Sequence, residues 1–145
     1  MSLHIYTDGS YLPKFKEYSG WAYLITNQIE NKIIYEDFGK IICESRNIDG
    51  ECQAIIEALN CVSNNVKILN NIDCIKIYYD YIGLHKWITG EWKTNKNVSI
   101  NYKYKVLKLL SHFDTIKIEF VKVKSHSGNI MNDRVDQLCK QALNT

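Results

Sequence analysis

The chain has 145 residues, 46% hydrophobic and 23% charged, with one proline and seven glycines, which is enough material for one self-sufficient core and reads as a single domain over residues 1–145. Eighteen Lys and Arg against 16 Asp and Glu leave a net charge of +2, too small to call for a nucleic-acid partner and too small to exclude one. Five cysteines without a CxxC pair argue against a disulfide framework or structural zinc, and neither a leader peptide nor a membrane-length apolar run is present, so a soluble, cytoplasmic protein with free thiols is expected.

Residues 3–6 form a short strand that runs into Thr7-Asp8-Gly9-Ser10, so a carboxylate closes the strand ahead of a turn-capable glycine. A loop over 12–19 holds the only proline. Two β-rich runs follow, 20–26 and 33–43, joined by a turn over 27–31, and the three strands make an antiparallel meander. From Asp49 the period changes: Glu51, Ile55, Ala58, Leu59 and Val62 share one helical face, with Asp49 as its N-cap. That face turns Glu51 inward, an unusual place for a glutamate. Residues 73–79 are a strand that ends on Asp80. Helices are expected over 81–89, stopped near Gly90, and over 102–113, with a last strand over 115–123. A polar loop over 124–129 leads into a final helix with the stripe Met131, Val135, Leu138 and Ala142. The order βββαβααβα implies a five-stranded mixed α/β sheet, antiparallel and then parallel, with helices packed on both faces.

Charge is uneven along this order. Residues 30–60 carry seven acids against three basic residues, and residues 81–124 carry nine lysines against three acids. Among the acids, Asp8 and Asp80 end strands and Glu51 faces inward. The carboxyl ends of neighbouring strands in an open α/β sheet frame the crevice where ligands bind. If those two strands are neighbours, Asp8 and Asp80 lie side by side and repel unless a cation holds them. Oxygen donors without His or Cys partners favour Mg²⁺ or Mn²⁺ over zinc. Taken singly, an Asp before Gly is an ordinary turn former and a first-turn Glu an ordinary partner of the helix dipole. The joint pattern is harder to assign to either role.

Four pieces in order carry a family resemblance: Ile5-Tyr6-Thr7-Asp8-Gly9-Ser10, Ser45-Arg46-Asn47-Ile48-Asp49-Gly50-Glu51, Ile77-Tyr78-Tyr79-Asp80, and the loop with Ser125-His126-Ser127-Gly128-Asn129 ahead of Asn132-Asp133-Arg134-Val135-Asp136. The chain resembles ribonuclease H type 1, in its bacterial form. The resemblance implies the ribonuclease H-like fold and a four-carboxylate metal site of Asp8, Glu51, Asp80 and Asp136, with His126 as the active-site loop histidine. Asp133 competes for the fourth place. The family pattern aligns Asp136, which also shares a helical face with Asn132 beside the Val135/Leu138 stripe. The chain departs from the family in lacking its glycine-rich loop after the first strand and in having a short basic region between Asp80 and His126. No accessory hybrid-binding domain is expected ahead of the first strand.

The implied activity is endonucleolytic hydrolysis of the RNA strand of RNA/DNA hybrids with two Mg²⁺ ions, Mn²⁺ being the alternative, to give 5′-phosphate and 3′-hydroxyl ends. In that scheme Asp8 bridges both ions, Glu51 and Asp80 complete the leaving-group side, Asp136 holds the ion beside the attacking water, and His126 assists proton transfer or product release. Asn47 and Asn132 are candidates for ribose contact, Gly9 and Ser10 for close backbone approach, and Arg46 and Lys93 for phosphate contact. A monomer with no membrane partner is expected. The alternatives are another nuclease of the same fold, which needs extra DNA-binding segments, or a catalytically silent hybrid-binding module, which gains nothing from concentrated negative charge.

Overall fold

The computed structural model describes residues 1–27, 32–124 and 128–145. The described strands form one five-stranded sheet. Strands β1 (Ser2–Ser10), β2 (Tyr18–Asn27) and β3 (Lys32–Ile42) make an antiparallel meander. Helix α1 (Asn47–Asn64) then leads to β4 (Cys74–Tyr79), which pairs in parallel with β1. Helices α2 (Gly83–Thr89) and α3 (Asn97–Leu110) precede β5 (Lys117–Lys122), parallel to β4, and α4 (Ile130–Leu143) ends the chain. The strand order is β3-β2-β1-β4-β5, which is the mixed sheet expected from the sequence.

Side-chain alternation on β1 and β2 divides the interior into two layers. Leu3, Ile5, Trp21, Tyr23 and Ile25 turn to one face, where Ile55, Leu59 and Val62 of α1 cover them together with α2 and α3. Tyr6, Ala22 and Leu24 turn to the other, against Val135, Leu138 and Cys139 of α4. β2 lies in the middle of this sandwich, so all but its two end residues are buried. A strand apolar on both faces is what burial under helices on both sides requires.

Several boundaries differ from the periodicity. β1 continues to Ser10 because its antiparallel ladder runs on to Ser10↔Gly20, whereas its parallel ladder with β4 stops at Tyr6↔Tyr78. Asp8 is therefore inside the strand on one edge and past the ladder on the other. Helix α1 starts at Asn47 with Arg46 in the cap position, so Asp49 is not the cap but lies in the first turn. Its buried carboxylate accepts the backbone N–H groups of Ser45 at 2.6 Å and Glu44 at 3.2 Å, clasping the preceding turn. Helix α3 starts at Asn97, well before Tyr102, because buried Ser99 donates to the Lys96 carbonyl and its polar first turn packs without an apolar signal. Helix α2 begins at Gly83, and β5 is shorter at both ends than the alternation suggested. Residues 28–31 of the first hairpin turn lie outside the described residues.

Candidate active site

Because Tyr6 is opposite Tyr78 in parallel register, Asp8 and Asp80 lie two residues beyond the last paired position of each strand. Both strands thus deliver a carboxylate to the same end of the sheet. The other two acids arrive on helices held unusually close to the sheet. A Cβ on Gly9 would overlap the backbone nitrogen of Glu51, so the missing side chain lets the first turn of α1 press onto β1. A Cβ on Gly20 would likewise overlap the Cys139 carbonyl of α4. That helix is pinned where the Ser10 hydroxyl donates to the same carbonyl at 2.8 Å.

The result is a cleft of about 30 Å³ lined by Asp8, Asp80, Asp136, Asp133, Asn132 and Lys124. That is room for about two water-sized spheres, which suits small ions and water rather than an organic ligand. Glu51 is 1% exposed and lies against Asp8. Burial pushes the Asp8 carboxyl up to about 6, an effect partly offset by hydrogen bonds with Glu51 and with the Gly9 N–H and reinforced by Asp136. Burial, then Asp8 and Asp80, hold Glu51 well above the usual carboxylate range. Both inner carboxyls are thus harder to deprotonate than free acids.

One atom bears directly on the fit of a cation. Glu51 Oε2 is buried without a hydrogen-bond partner among the described residues. An unsatisfied buried carboxylate oxygen costs about 1–3 kcal/mol or more, and a divalent cation shared with Asp8 would satisfy it. The four acids fit a hard cation by donor chemistry as well. Cys139 Sγ lies within 4.8 Å of the carboxylates of Asp8 and Asp136. However, the thiol donates to the Asp136 carbonyl at 3.2 Å and burial raises its pKa, so it stays protonated and is a poor ligand.

The structure separates Asp136 from Asp133. Asp136 acts directly on Asp8 and pairs with Lys140 at 2.9 Å. Asp133 is exposed in the first turn of α4, whose cap is Asn129, accepting from Met131 and Asn132 N–H groups at 2.9 and 3.2 Å. Asn132 lines the cleft, and Gly9 N–H is directed at Asp8 Oδ1 at 2.9 Å. Ser10 is buried with its hydroxyl committed to α4, which leaves only its backbone for an approaching strand. Arg46 and Lys93 fall elsewhere, in a larger groove of about 430 Å³ shared with Tyr81, Trp87 and Lys96. Asn47 is exposed at the start of α1. His126 lies outside the described residues.

Sequence reasoning missed two residues, Lys122 and Lys140. Lys122 Nζ is 3.4 Å from Asp80 Oδ1 and donates to the Val123 carbonyl at 3.0 Å. The Asp136/Lys140 spacing of i, i+4 was a readable signal for the second pair. The first follows only from register, which sets Lys122 opposite Tyr79, the residue before Asp80.

A protein-family model described as RNase H matches residues 1–144. The ribonuclease HI of Campylobacter jejuni (strain ATCC 700819) is 33% identical over 142 residues, covering 97% of this chain and 90% of the relative. The ribonuclease H of Treponema denticola is 27% identical over 157 residues, covering 98% and 97%. In fold, the chain superposes on RNase H1 of the halophilic archaeon Halobacterium salinarum with a TM-score of 0.74 at 23% identity, over 99% of this chain and 98% of that one. It superposes on LC11-RNase H1, solved in complex with an RNA/DNA hybrid, with a TM-score of 0.78 at 19% identity, over 98% and 96%. Four acids gathered at the carboxyl ends of β1 and β4 sit in a chain matched by that family model over nearly its whole length: the protein belongs to the ribonuclease H family.

Proposed function

We propose that the protein hydrolyses the RNA strand of RNA/DNA hybrids, leaving 5′-phosphate and 3′-hydroxyl ends. The observation that carries this reading is the convergence of Asp8, Glu51, Asp80 and Asp136 with a buried, unpartnered Glu51 oxygen, in a chain of this family. The catalytic and metal-binding set is those four acids, and the fitting cofactor is a pair of Mg²⁺ ions, or Mn²⁺. When bound, two divalent ions supply an activated water, a neutralised phosphate and a stabilised leaving oxygen. The protein's own contribution is positional: β1 and β4 fix Asp8 and Asp80, the Gly9 contact fixes Glu51, and the Ser10 hydroxyl fixes the helix that carries Asp136. His126, between β5 and α4 in sequence, moves a proton or speeds product release.

The RNA strand is read at the 2′-hydroxyls by Asn132 and Asn47, with the backbone of Gly9 and Ser10 allowing close approach. The groove with Arg46 and Lys93 takes phosphates of the other strand, because guanidinium and ammonium groups beside an indole suit a nucleic-acid backbone. Trp87 is 9% exposed, so it braces that groove from the core, whereas Trp92 is 38% exposed and free to contact a strand. LC11-RNase H1, of similar fold, was crystallised with an RNA/DNA hybrid. We further propose a cytoplasmic monomer. Five free cysteines suit a reducing compartment, and among the described residues no helix is long and apolar enough to cross a membrane.

The test is cleavage of a labelled RNA strand annealed to DNA, in Mg²⁺ or Mn²⁺, alongside single-stranded RNA and duplex DNA. Cleavage confined to the hybrid, with 5′-phosphate ends, is the expected result. Equal cleavage of duplex DNA would favour another nuclease of this fold, and binding without cleavage would favour a silent hybrid-binding module.

A further inference from the structure

The four acids are neutralised in two different ways. Among the described residues neither Asp8 nor Glu51 has a lysine or arginine at ion-pair distance, while both outer acids do: Lys140 Nζ lies 2.9 Å from Asp136 Oδ2, and Lys122 Nζ 3.4 Å from Asp80 Oδ1. Each ammonium thus sits on a carboxylate of the proposed metal-binding set. The two lysines come from different elements, α4 and the end of β5. We propose that Lys140 and Lys122 are place-holding cations of the metal-free site, and that each divalent ion enters by displacing an ammonium from the carboxylate it binds. This rests on the metal-dependent reading above.

Two observations and one general property of ion pairs support the exchange. Both lysine side chains are about half exposed, 52% for Lys140 and 42% for Lys122, so each can swing into water without leaving a buried charge behind. Exposed ion pairs are weak and screened by salt, so an ion of twice the charge can displace them. The ammonium of Lys122 also has the Val123 carbonyl at 3.0 Å, a partner it keeps when Asp80 is taken. Metal affinity is therefore set partly by these two residues: they lower it by competing, and they hold the outer carboxylates in place until an ion arrives.

The experiment is direct Mn²⁺ binding to the full chain without nucleic acid, read from the free-ion electron paramagnetic resonance signal at fixed pH and ionic strength. The variants are Lys140→Gln, Lys140→Arg and Lys122→Gln. Competition predicts tighter binding in Lys140→Gln, by about fivefold, and in Lys122→Gln, by about twofold, the longer pair being the weaker competitor. Lys140→Arg should bind more weakly than wild type by about threefold, because a guanidinium grips both carboxylate oxygens and is harder to displace. Unchanged or weaker binding in both glutamine variants, with wild type binding normally, would overturn the place-holder role and leave the metal site standing. Absence of Mn²⁺ binding by wild type would overturn both.

Discussion

The acidic cleft and the Arg46/Lys93 groove are both polar surfaces made by loop-proximal residues, yet they obey different physics. In the cleft the charges are close and partly buried, so Asp8 and Glu51 each alter the proton affinity of the other. In the groove Arg46, Lys93 and Lys96 are exposed and solvated. On the proposed function, the chemistry belongs to the first and affinity to the second. Low-dielectric, preorganised charge does work on a reacting phosphate, whereas exposed cations attract a polyanion at long range and lose that pull to salt.

The comparison breaks first at Asp8. Asp8→Asn removes the carboxylate that touches Glu51 and lies nearest Asp136, and kcat on a hybrid should fall by on the order of 10³-fold or more with little change in hybrid binding in Ca²⁺. Undiminished turnover would remove the cleft from the mechanism. The next test separates neighbours on one helix. Asp136→Asn should cost about 10²-fold or more in kcat, while exposed Asp133→Asn should stay within about threefold. The reverse result would mean that the fourth acid has been assigned to the wrong turn of α4.

Proton affinity offers a third test. Asp8 ordinarily titrates near 3.8 and is raised here to about 6, and Glu51 moves in the same direction, so the folded protein holds protons that the unfolded chain releases. Stability of the metal-free protein is therefore fully present below the ordinary carboxylate pKa and is lost as pH rises through about 6, by on the order of 2–3 kcal/mol. Urea unfolding in EDTA from pH 4 to pH 7.5 should show that decline. Saturating Mg²⁺ should reverse it, and Asp8→Asn should make it shallower, leaving the part due to buried Glu51. A rise in stability across the same window would contradict the raised proton affinity of the pair.

How much of this was legible depended on whether position in sequence became position in space through a regular rule. Asp8 and Asp80 were legible because a parallel register converts two strand ends into neighbours, and Glu51 because its spacing from Ile55 and Leu59 put it on the buried face. Asp136 was aligned by the family pattern, and helical geometry agreed, since it shares a face with Asn132 beside the Val135/Leu138 stripe. Lys122 was hidden because its contact depends on β5 being in register with β4, and the early start of α3 because its first turn is polar. The Asp49 clasp was misread as a cap because both roles use the same residue type, and only the backbone at Arg46 distinguishes them.

That backbone supplies the smallest and sharpest test of the groove. Arg46 has φ 55° and ψ −128°, a conformation natural to glycine and costly for a residue with a Cβ. The Asp49 carboxylate holds the turn by accepting the Ser45 and Glu44 N–H groups, so the strain of about 1–2 kcal/mol persists in the folded state. If the guanidinium contacts phosphate, Arg46→Ala and Arg46→Gly should both raise KM about threefold to fivefold with kcat nearly unchanged, and both should flatten the salt dependence of hybrid binding. Only Arg46→Gly relieves the strain. After the greater chain entropy of glycine is subtracted, it should stabilise the protein by about 0.5–1 kcal/mol in urea unfolding, while Arg46→Ala stays near wild type. A stabilised Arg46→Gly with unaltered KM would leave the strained turn real but remove Arg46 from the binding surface, and the groove would then rest on Lys93 and Lys96.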